Sequence, residues 1–252
     1  VSGNVHRFKS EPPPAPGGFV ETDTARAILR ALHRARAKEK MTLIAGAPGI
    51  GKSRALHRFH DEAPDMLIHS AISGEGGVYN VARALCGMLD LRPPKPSDLS
   101  ETRRRLAEAI GAGGFVAIDE AQYLVQRNPK GRDDTAALEW VRALSEEGCF
   151  GVALVGDMSL VHAIAELPQL DRRTHPRVVV PVSEASDVAA FCAARGLTEK
   201  RVIDRIATKA RRFGGLGYVA EILSDARDFS DTGVPSAEDF YAAMQMFEEG
   251  CR

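Results

Sequence analysis

The chain is poor in cysteine and in aromatic residues, has almost no net charge, and contains no long apolar run. Each of these absences excludes something. Its four cysteines are Cys86, Cys149, Cys192 and Cys251. They lie far apart with no C-x-x-C pair, which excludes a disulfide framework or a zinc ribbon and reads as reduced thiols. No apolar stretch is long enough to span a bilayer, and the first residues (VSGNVHRFKSEPPPAPGG) carry no signal-peptide apolar region. A cytoplasmic protein with no membrane partner is therefore expected. Aromatic residues make up only 6% of the chain, and no aromatic platform is visible on which single-stranded bases would stack. The net charge of −1 does not by itself announce a nucleic-acid partner.

Charge is nevertheless unevenly spread. Between Asp23 and His60 the lysines and arginines face only Asp23 and Glu39, whereas after Glu221 acidic residues dominate. A basic face on one copy and an acidic face on the next would favour head-to-tail stacking; solvated helix faces are the plainer alternative.

The chain is organised around Thr42–Ser53, TLIAGAPGIGKS. A short apolar run ends at Gly46, and Gly51, Lys52 and Ser53 complete the pattern G-x-x-x-x-G-K-[ST] between a strand and a helix. Glycines at 46, 49 and 51 let backbone amides approach an anion. The helix that follows adds the positive end of its dipole. Lys52 is a point charge for the β- and γ-phosphates, and the Ser53 hydroxyl is a candidate Mg²⁺ ligand. Gly46, Ala47, Pro48, Gly49, Ile50, Gly51, Lys52, Ser53 and Arg54 form the candidate nucleotide-binding set.

Apolar runs at Met41–Ala45, Asp65–Ile72, Phe115–Ile118, Phe150–Val155 and Arg177–Val182 alternate with helical patterns. That alternation predicts an α/β fold with a five-stranded parallel sheet covered on both faces by helices. After Ser183 only helical patterns follow, three or four of them, the last capped by Ser236 with Asp239. The expected division is a Pro/Gly-rich unstructured tail over residues 1–18, a nucleotide-binding α/β domain over 19–183, and a small all-helical domain over 184–252.

The third strand delivers Asp119 to the carboxyl edge of the sheet, with Glu120 next (FVAIDEAQ). This is the Walker B arrangement: Asp119 holds Mg²⁺, and Glu120 orients and deprotonates a water. The pair points to ATP hydrolysis more than to a kinase. The fourth strand, expected to insert between the first and third, ends at Asp157. Asp157 is either a γ-phosphate sensor or a strand-end turn residue. Arg172, Arg173 and Arg177 cluster before the fifth strand. Arg177 is the candidate to reach a neighbouring subunit's nucleotide.

Together these residues give the chain a resemblance to the phage Mu B-like AAA+ ATPases, ATP-dependent target-DNA activators of transposition close to the IstB-type and TnsC-type helpers. The resemblance is carried by PP…FVET ending at Thr22, by GAPGIGKS, by the IDEA core Ile118–Ala121, by GVALVGD at Gly151–Asp157, and by Arg177–Val178. It implies an AAA+ fold with a helical lid, ATP and Mg²⁺ as cofactors, and ATP-dependent helical self-assembly on double-stranded DNA with little sequence preference. It also implies a transposase or integrase partner, Phe19 and Val20 against the adenine, and Arg177 as the arginine finger. A helicase loader and an ATP-switched protein-binding ATPase are the rival readings.

Three departures stand out. The phage proteins carry an N-terminal helix-turn-helix domain, for which the given residues before Phe19 are too few, so the expectation is either a naturally short member or a truncated chain. Asp157 stands where the family tends to have Asn. Gly217, in the lid motif GGLG, stands where an arginine would contact the γ-phosphate, with Arg211 or Arg212 as substitutes. Slow hydrolysis is expected from the last two. Candidate DNA contacts are Tyr79 and Asn80 beside the Gly-rich loop Ser73–Asn80, then Arg127, Lys130 and Arg132, and then Arg103 and Arg104. For each, a solvated loop or helix face is the alternative.

Overall fold

A computed structural model describes residues 18–127 and 133–251. The expected tail therefore lies outside the described residues except for Gly18, as do Lys130 and Arg132. In chain order the elements are α1 (Asp23–Ala37), β1 (Met41–Gly46), α2 (Lys52–Glu62), β2 (Leu67–Ser70), α3 (Val78–Met88), α4 (Leu99–Ile110) and β3 (Phe115–Asp119). There follow a 3₁₀ turn (Ala121–Leu124), β4 (Gln126–Arg127), β5 (Asp133–Asp134), α5 (Ala136–Gly148), β6 (Gly151–Gly156), α6 (Met158–Ala165), α7 (Pro168–Arg173) and β7 (Thr174–Val180). The chain then continues as α8 (Ala185–Ala193), α9 (Lys200–Phe213), α10 (Gly215–Phe229) and α11 (Ala237–Gly250).

The main sheet has five parallel strands in the order β2-β3-β6-β1-β7. β6 does insert between the P-loop strand and the Walker B strand. Its register sets Leu43 opposite Leu154 and Ala117 opposite Ala153. All residues of β1, β3 and β6 are buried, which is why they read as unbroken apolar runs.

Successive side chains of a strand point to opposite faces, so each central strand feeds two cores. Leu43, Ile118 and Leu154 pack with Val81, Leu85, Leu106 and Leu138 of α3, α4 and α5. Their neighbours Ile44, Ala117 and Val155 pack with Ile28, Leu32, Leu56 and Phe59 of α1 and α2.

The edge strands differ from the sequence expectation. β2 is shorter than Asp65–Ile72 and only half-buried, because its outer side has no strand to pair with. β7 starts at Thr174, earlier than expected, because Pro176 is tolerated at an edge where its missing N–H breaks no inner ladder. Its carbonyl accepts the Thr42 hydroxyl at 2.6 Å. α6 and α7 were not anticipated: both are short, and α7 starts on Pro168 at its first turn. The polar loop after Gln126 is closed at its base by β4 and β5, an antiparallel ladder pairing Gln126 with Asp134 and Arg127 with Asp133.

Helices α8 to α11 close around their own core, with Val202, Ile206, Val219, Ile222 and Phe240 buried together. Tyr218 and Phe247 meet edge to face at 4.9 Å. α11 opens with the Ser236–Asp239 capping box read from the sequence.

Two contacts tie this helical unit to the sheet domain. The Thr24 N–H at the start of α1 donates to the buried Asp187 carboxylate of α8 at 3.3 Å. The Leu216 N–H donates to the Gly49 carbonyl at 2.8 Å. Among the described residues no helix is long and apolar enough to cross a membrane.

Leu43 is fully buried in the middle of the sheet, whereas Val234 is 76% exposed. Leu43→Ala is expected to cost about 2–5 kcal/mol and Val234→Ala to stay within about 0.5 kcal/mol. Denaturant unfolding followed by circular dichroism separates the two.

Candidate nucleotide-binding site

β1 runs into the phosphate loop at Gly46, where a Cβ would sit 2.3 Å from the Val180 carbonyl oxygen of β7. Only glycine allows that approach. Gly49 and Gly51 hold φ of +75° and +93°, the left-handed region that favours glycine. Gly51 is also the N-cap of α2. It offers no side-chain cap, and the first turn of α2 contains no acidic residue. Helix N–H groups at that end have no intrahelical acceptor. They face a cavity of about 540 Å³ that is lined by Gly49, Lys52, Ser53 and Glu120 among others.

Lys52 folds back over the loop and donates to the carbonyls of Gly46 (2.8 Å) and Ala47 (3.0 Å). Burial lowers its pKa, opposed by the negative charges of Glu120, Asp119 and Asp157. Asp119, at the end of β3, is only 7% exposed. Burial raises its pKa, while the Ser53 hydroxyl and the Glu120 N–H bond to it and pull the other way. That N–H donates to Asp119 Oδ1 at 3.0 Å. A hydroxyl and one buried carboxylate facing a phosphate loop form a hard-oxygen set. It suits Mg²⁺, which binds through one or two protein ligands with phosphates and water completing the shell. Among the described residues no group of three or more His, Cys, Asp or Glu is arranged for a metal.

Glu120 sits at φ +54°, ψ +36°, an uncommon conformation for a residue with a side chain. Its Oε2 accepts from Gln122 Nε2 at 2.6 Å. Gln122 Oε1 in turn accepts from the Asp157 N–H at 3.2 Å. The Asp157 carboxylate caps α6, accepting from the Ser159 N–H (2.8 Å) and hydroxyl (2.6 Å). Both readings of Asp157 thus meet here: the residue ends β6 beside Glu120, but its carboxylate is engaged in a helix cap.

Phe19 and Val20 line the same cavity as the phosphate loop, as do Pro48, Ile50 and Arg54. From the helical unit come Phe191, Arg195, Leu216 and Gly217. The Arg195 guanidinium lies over the Phe191 ring at 3.6 Å. Arg211 and Arg212 are exposed on α9 and are not part of this wall; the lid arginine that lines the cavity is Arg195. Sequence reading missed Phe191, Arg195 and Gln122. Nothing local marks the first two, which lie far from the motifs, and Gln122 sits within DEAQ without a spacing rule of its own.

Arg177 lies in the middle of β7, opposite Leu43, and its side chain turns back toward the start of that strand, away from the phosphate loop at the other end. Its guanidinium bonds within its own chain: NH2 donates to the Asp171 carbonyl (2.6 Å) and carboxylate (2.5 Å) and to the Thr174 hydroxyl (3.1 Å), and Nε donates to the Thr174 carbonyl (3.1 Å). Nearby, Lys38, Lys40, Arg172, Arg173 and His175 line a largely basic cavity of about 660 Å³.

Tyr79 and Asn80 lie in the first turn of α3. The preceding Gly-rich loop packs on the segment after Glu120: a Cβ on Gly76 would sit 1.6 Å from the Tyr123 carbonyl oxygen. Of the second loop region singled out in the sequence, Gln126 is close by: a Cβ on Gly77 would sit 3.6 Å from its Oε1. Arg127 is in β4. Arg103 is paired with Glu147, and Arg104 with Glu101 and Glu108, so both are already matched by carboxylates of their own chain.

Comparison with known proteins adds to this geometry. A family model described as "AAA domain" matches residues 25–164, from α1 through the phosphate loop and β3 to α6. The chain belongs to the AAA domain family. Within that family it is similar to the ATP-dependent target DNA activator B of Escherichia phage Mu, at 26% identity over 81% of this chain and 64% of that protein. It is also similar to the Mu-like prophage FluMu DNA transposition protein B of Haemophilus influenzae, at 26% identity over 81% of this chain and 70% of the other. The chain thus spans about two thirds of the length of these relatives. In fold it resembles the Aeropyrum pernix Orc1 protein, solved in complex with DNA. The TM-score is 0.61 at 20% identity, covering 94% of this chain and 68% of that one. Cdc6p of Pyrobaculum aerophilum gives a TM-score of 0.59 at 14% identity, covering 90% and 64%.

The AAA domain and the helical unit touch directly at Gly49, where a Cβ would sit 1.8 Å from the Gly214 carbonyl oxygen. Gly49→Ala is therefore expected to push the helical unit off the phosphate loop. Hydrogen exchange should accelerate at the Leu216 amide while β1, β3 and β6 keep their protection, and nucleotide affinity should fall by about tenfold or more.

Proposed function

We propose that this chain is a Mg²⁺-dependent ATPase of slow turnover that uses its ATP-bound state to assemble on double-stranded DNA and to recruit or activate a transposase. The observation that carries the reading is the convergence of Lys52, Ser53 and Glu120 on one cavity, with the buried Asp119 carboxylate bonded to the Ser53 hydroxyl behind them. The similarity to proteins named as target DNA activators supports the DNA and transposition part of it.

In this reading the loop amides and Lys52 bind the phosphates. Lys52 exchanges its two carbonyl acceptors for phosphate oxygens, so its charge is kept in place before the ligand arrives. Ser53 and Asp119 would hold Mg²⁺, which would supply charge neutralisation on the phosphates. Glu120 takes the proton of the attacking water. Phe19 and Val20 form one wall of the nucleobase site, facing the Phe191–Arg195 wall of the lid. Gly217 gives the lid no side chain at this point, in keeping with slow hydrolysis.

Assembly would be heterologous, with the basic cavity at one subunit's sheet edge turned to the next subunit's nucleotide. For Arg177 to serve as the finger, its bonds to Asp171 and Thr174 must be exchanged for phosphate contacts. Arg172 and Arg173, unlike Arg177, line that cavity directly. DNA would run along the paired loops at Gly76 and Tyr123, with Tyr79, Asn80, Arg127, Lys130 and Arg132 as phosphate contacts. Arg103 and Arg104 would have to give up their carboxylate partners to take part.

Binding to a random-sequence duplex tests this reading, measured with ATP, with ADP and without nucleotide over a range of salt. Tight binding only with ATP is expected, weakening steeply with salt and lost in Lys52→Ala. Folded, ATP-loaded protein that ignores DNA at every salt concentration would refute the DNA-directed reading in favour of a protein-directed switch. Glu120→Gln is expected to keep ATP binding and to lower turnover by about a hundredfold or more.

A further inference from the structure

One side chain joins the candidate base to the neighbouring strand, and neither the motif pattern nor the relatives assign it a role. Gln122 lies in the 3₁₀ turn after β3, and both ends of its amide are used. The NH₂ group donates to Glu120 Oε2 at 2.6 Å, and the oxygen accepts from the Asp157 N–H at 3.2 Å. Asp157 directly follows β6, a central strand buried along its whole length, and is the N-cap of α6. Gln122 is therefore a strut between a rigid strand and the carboxylate of Glu120.

The surroundings are built to admit it. A Cβ at position 156 would lie 2.5 Å from Gln122 Oε1, so the glycine that ends β6 is what lets the amide reach that N–H. The Glu120 backbone is fixed in its left-handed conformation by the Tyr123 N–H at its carbonyl and by its own N–H to Asp119, but its side chain lines the open cavity, where the Gln122 amide is what anchors it. The Asp157 side chain is itself turned toward α6, where its Oδ1 accepts from the Ser159 N–H and hydroxyl.

We infer that Gln122 is a positioning residue for ATP hydrolysis: its amide fixes the Glu120 carboxylate against the end of β6. One donor bond fixes Oε2 and leaves Oε1 available to a water. An amide is suited to this because it has a donor and an acceptor at its two ends. It acts through Glu120 and touches no reacting atom itself. A base held within about an ångström of its working place keeps its rate; one released from it loses roughly tenfold to a hundredfold. The inference rests on the reading of Glu120 as the base.

The test uses the full chain with Gln122→Met, which keeps the length and packing of the side chain and removes both bonds. Turnover and ATP affinity are measured separately, alone and combined with Glu120→Gln. Expected is a tenfold to hundredfold fall in kcat with the ATP dissociation constant and Tm unchanged. In the Glu120→Gln background, adding Gln122→Met should change kcat by less than twofold, because the side chain it positions is already disabled. Gly156→Ala, which crowds Gln122 without altering it, should reproduce the kcat loss. Unchanged or increased kcat in Gln122→Met, or the same fold loss in both backgrounds, overturns the inference while leaving Glu120 as the base. Full turnover in Glu120→Gln alone overturns the base assignment and the inference with it.

Discussion

The unmet hydrogen-bonding capacity at the start of α2 is the constraint around which the molecule is arranged. A helix leaves its first N–H groups without internal acceptors, and Gly51 offers no side chain to fill them. Most helices of this chain solve that problem locally or tolerate it at the surface: Thr22 caps α1, Asp98 caps α4, Asp157 caps α6 and Ser236 caps α11. At α2 the solution is left to a ligand. Placing a lysine there adds a second demand for negative charge. Lys52 meets it meanwhile with two backbone carbonyls and the field of Asp119, Glu120 and Asp157.

The carboxylates nearest Lys52 end or follow strands that are not next to β1 in sequence. β6 separates β1 from β3, which sets Asp119 across from the loop, close enough to bond the Ser53 hydroxyl and buried enough to cost free energy as a lone charge. The same arrangement brings the end of β6 beside the turn that carries Glu120 and Gln122. Three elements thus control one carboxylate: β3 delivers it, the turn bends it into the cavity, and β6 steadies it through Gln122.

The helical unit is coupled to the same loop by main-chain contact. Leu216 bonds the Gly49 carbonyl, and Asp187 of α8 bonds the start of α1, on the segment that leads from Phe19 and Val20 into the cavity. These contacts flank the cavity, so its width depends on the relative placement of two separately cored units. A ligand filling the cavity would touch both units.

Much of this was legible in the linear chain. Buried central strands must be apolar on both faces, so β1, β3 and β6 announced themselves, and the phosphate loop and Asp119–Glu120 are short-range patterns whose chemistry depends on neighbours in sequence. Edge strands were less legible: β2 is half-exposed and β7 contains a proline, so neither keeps the pattern. Arg177 and Asp157 were placed in the right elements, but their hydrogen-bond partners, Asp171 and Ser159, are choices made among competing local donors and acceptors that only packing resolves. The sequence by itself determined the fold class and the phosphate-binding chemistry, because periodicity and local backbone geometry act over a few residues. Tertiary structure alone decided that Phe191, Arg195 and Leu216 complete the cavity and that Gln122 joins Glu120 to β6. Those contacts form between segments brought together by strand order and by the docking of two cores, and no spacing rule along the chain encodes them.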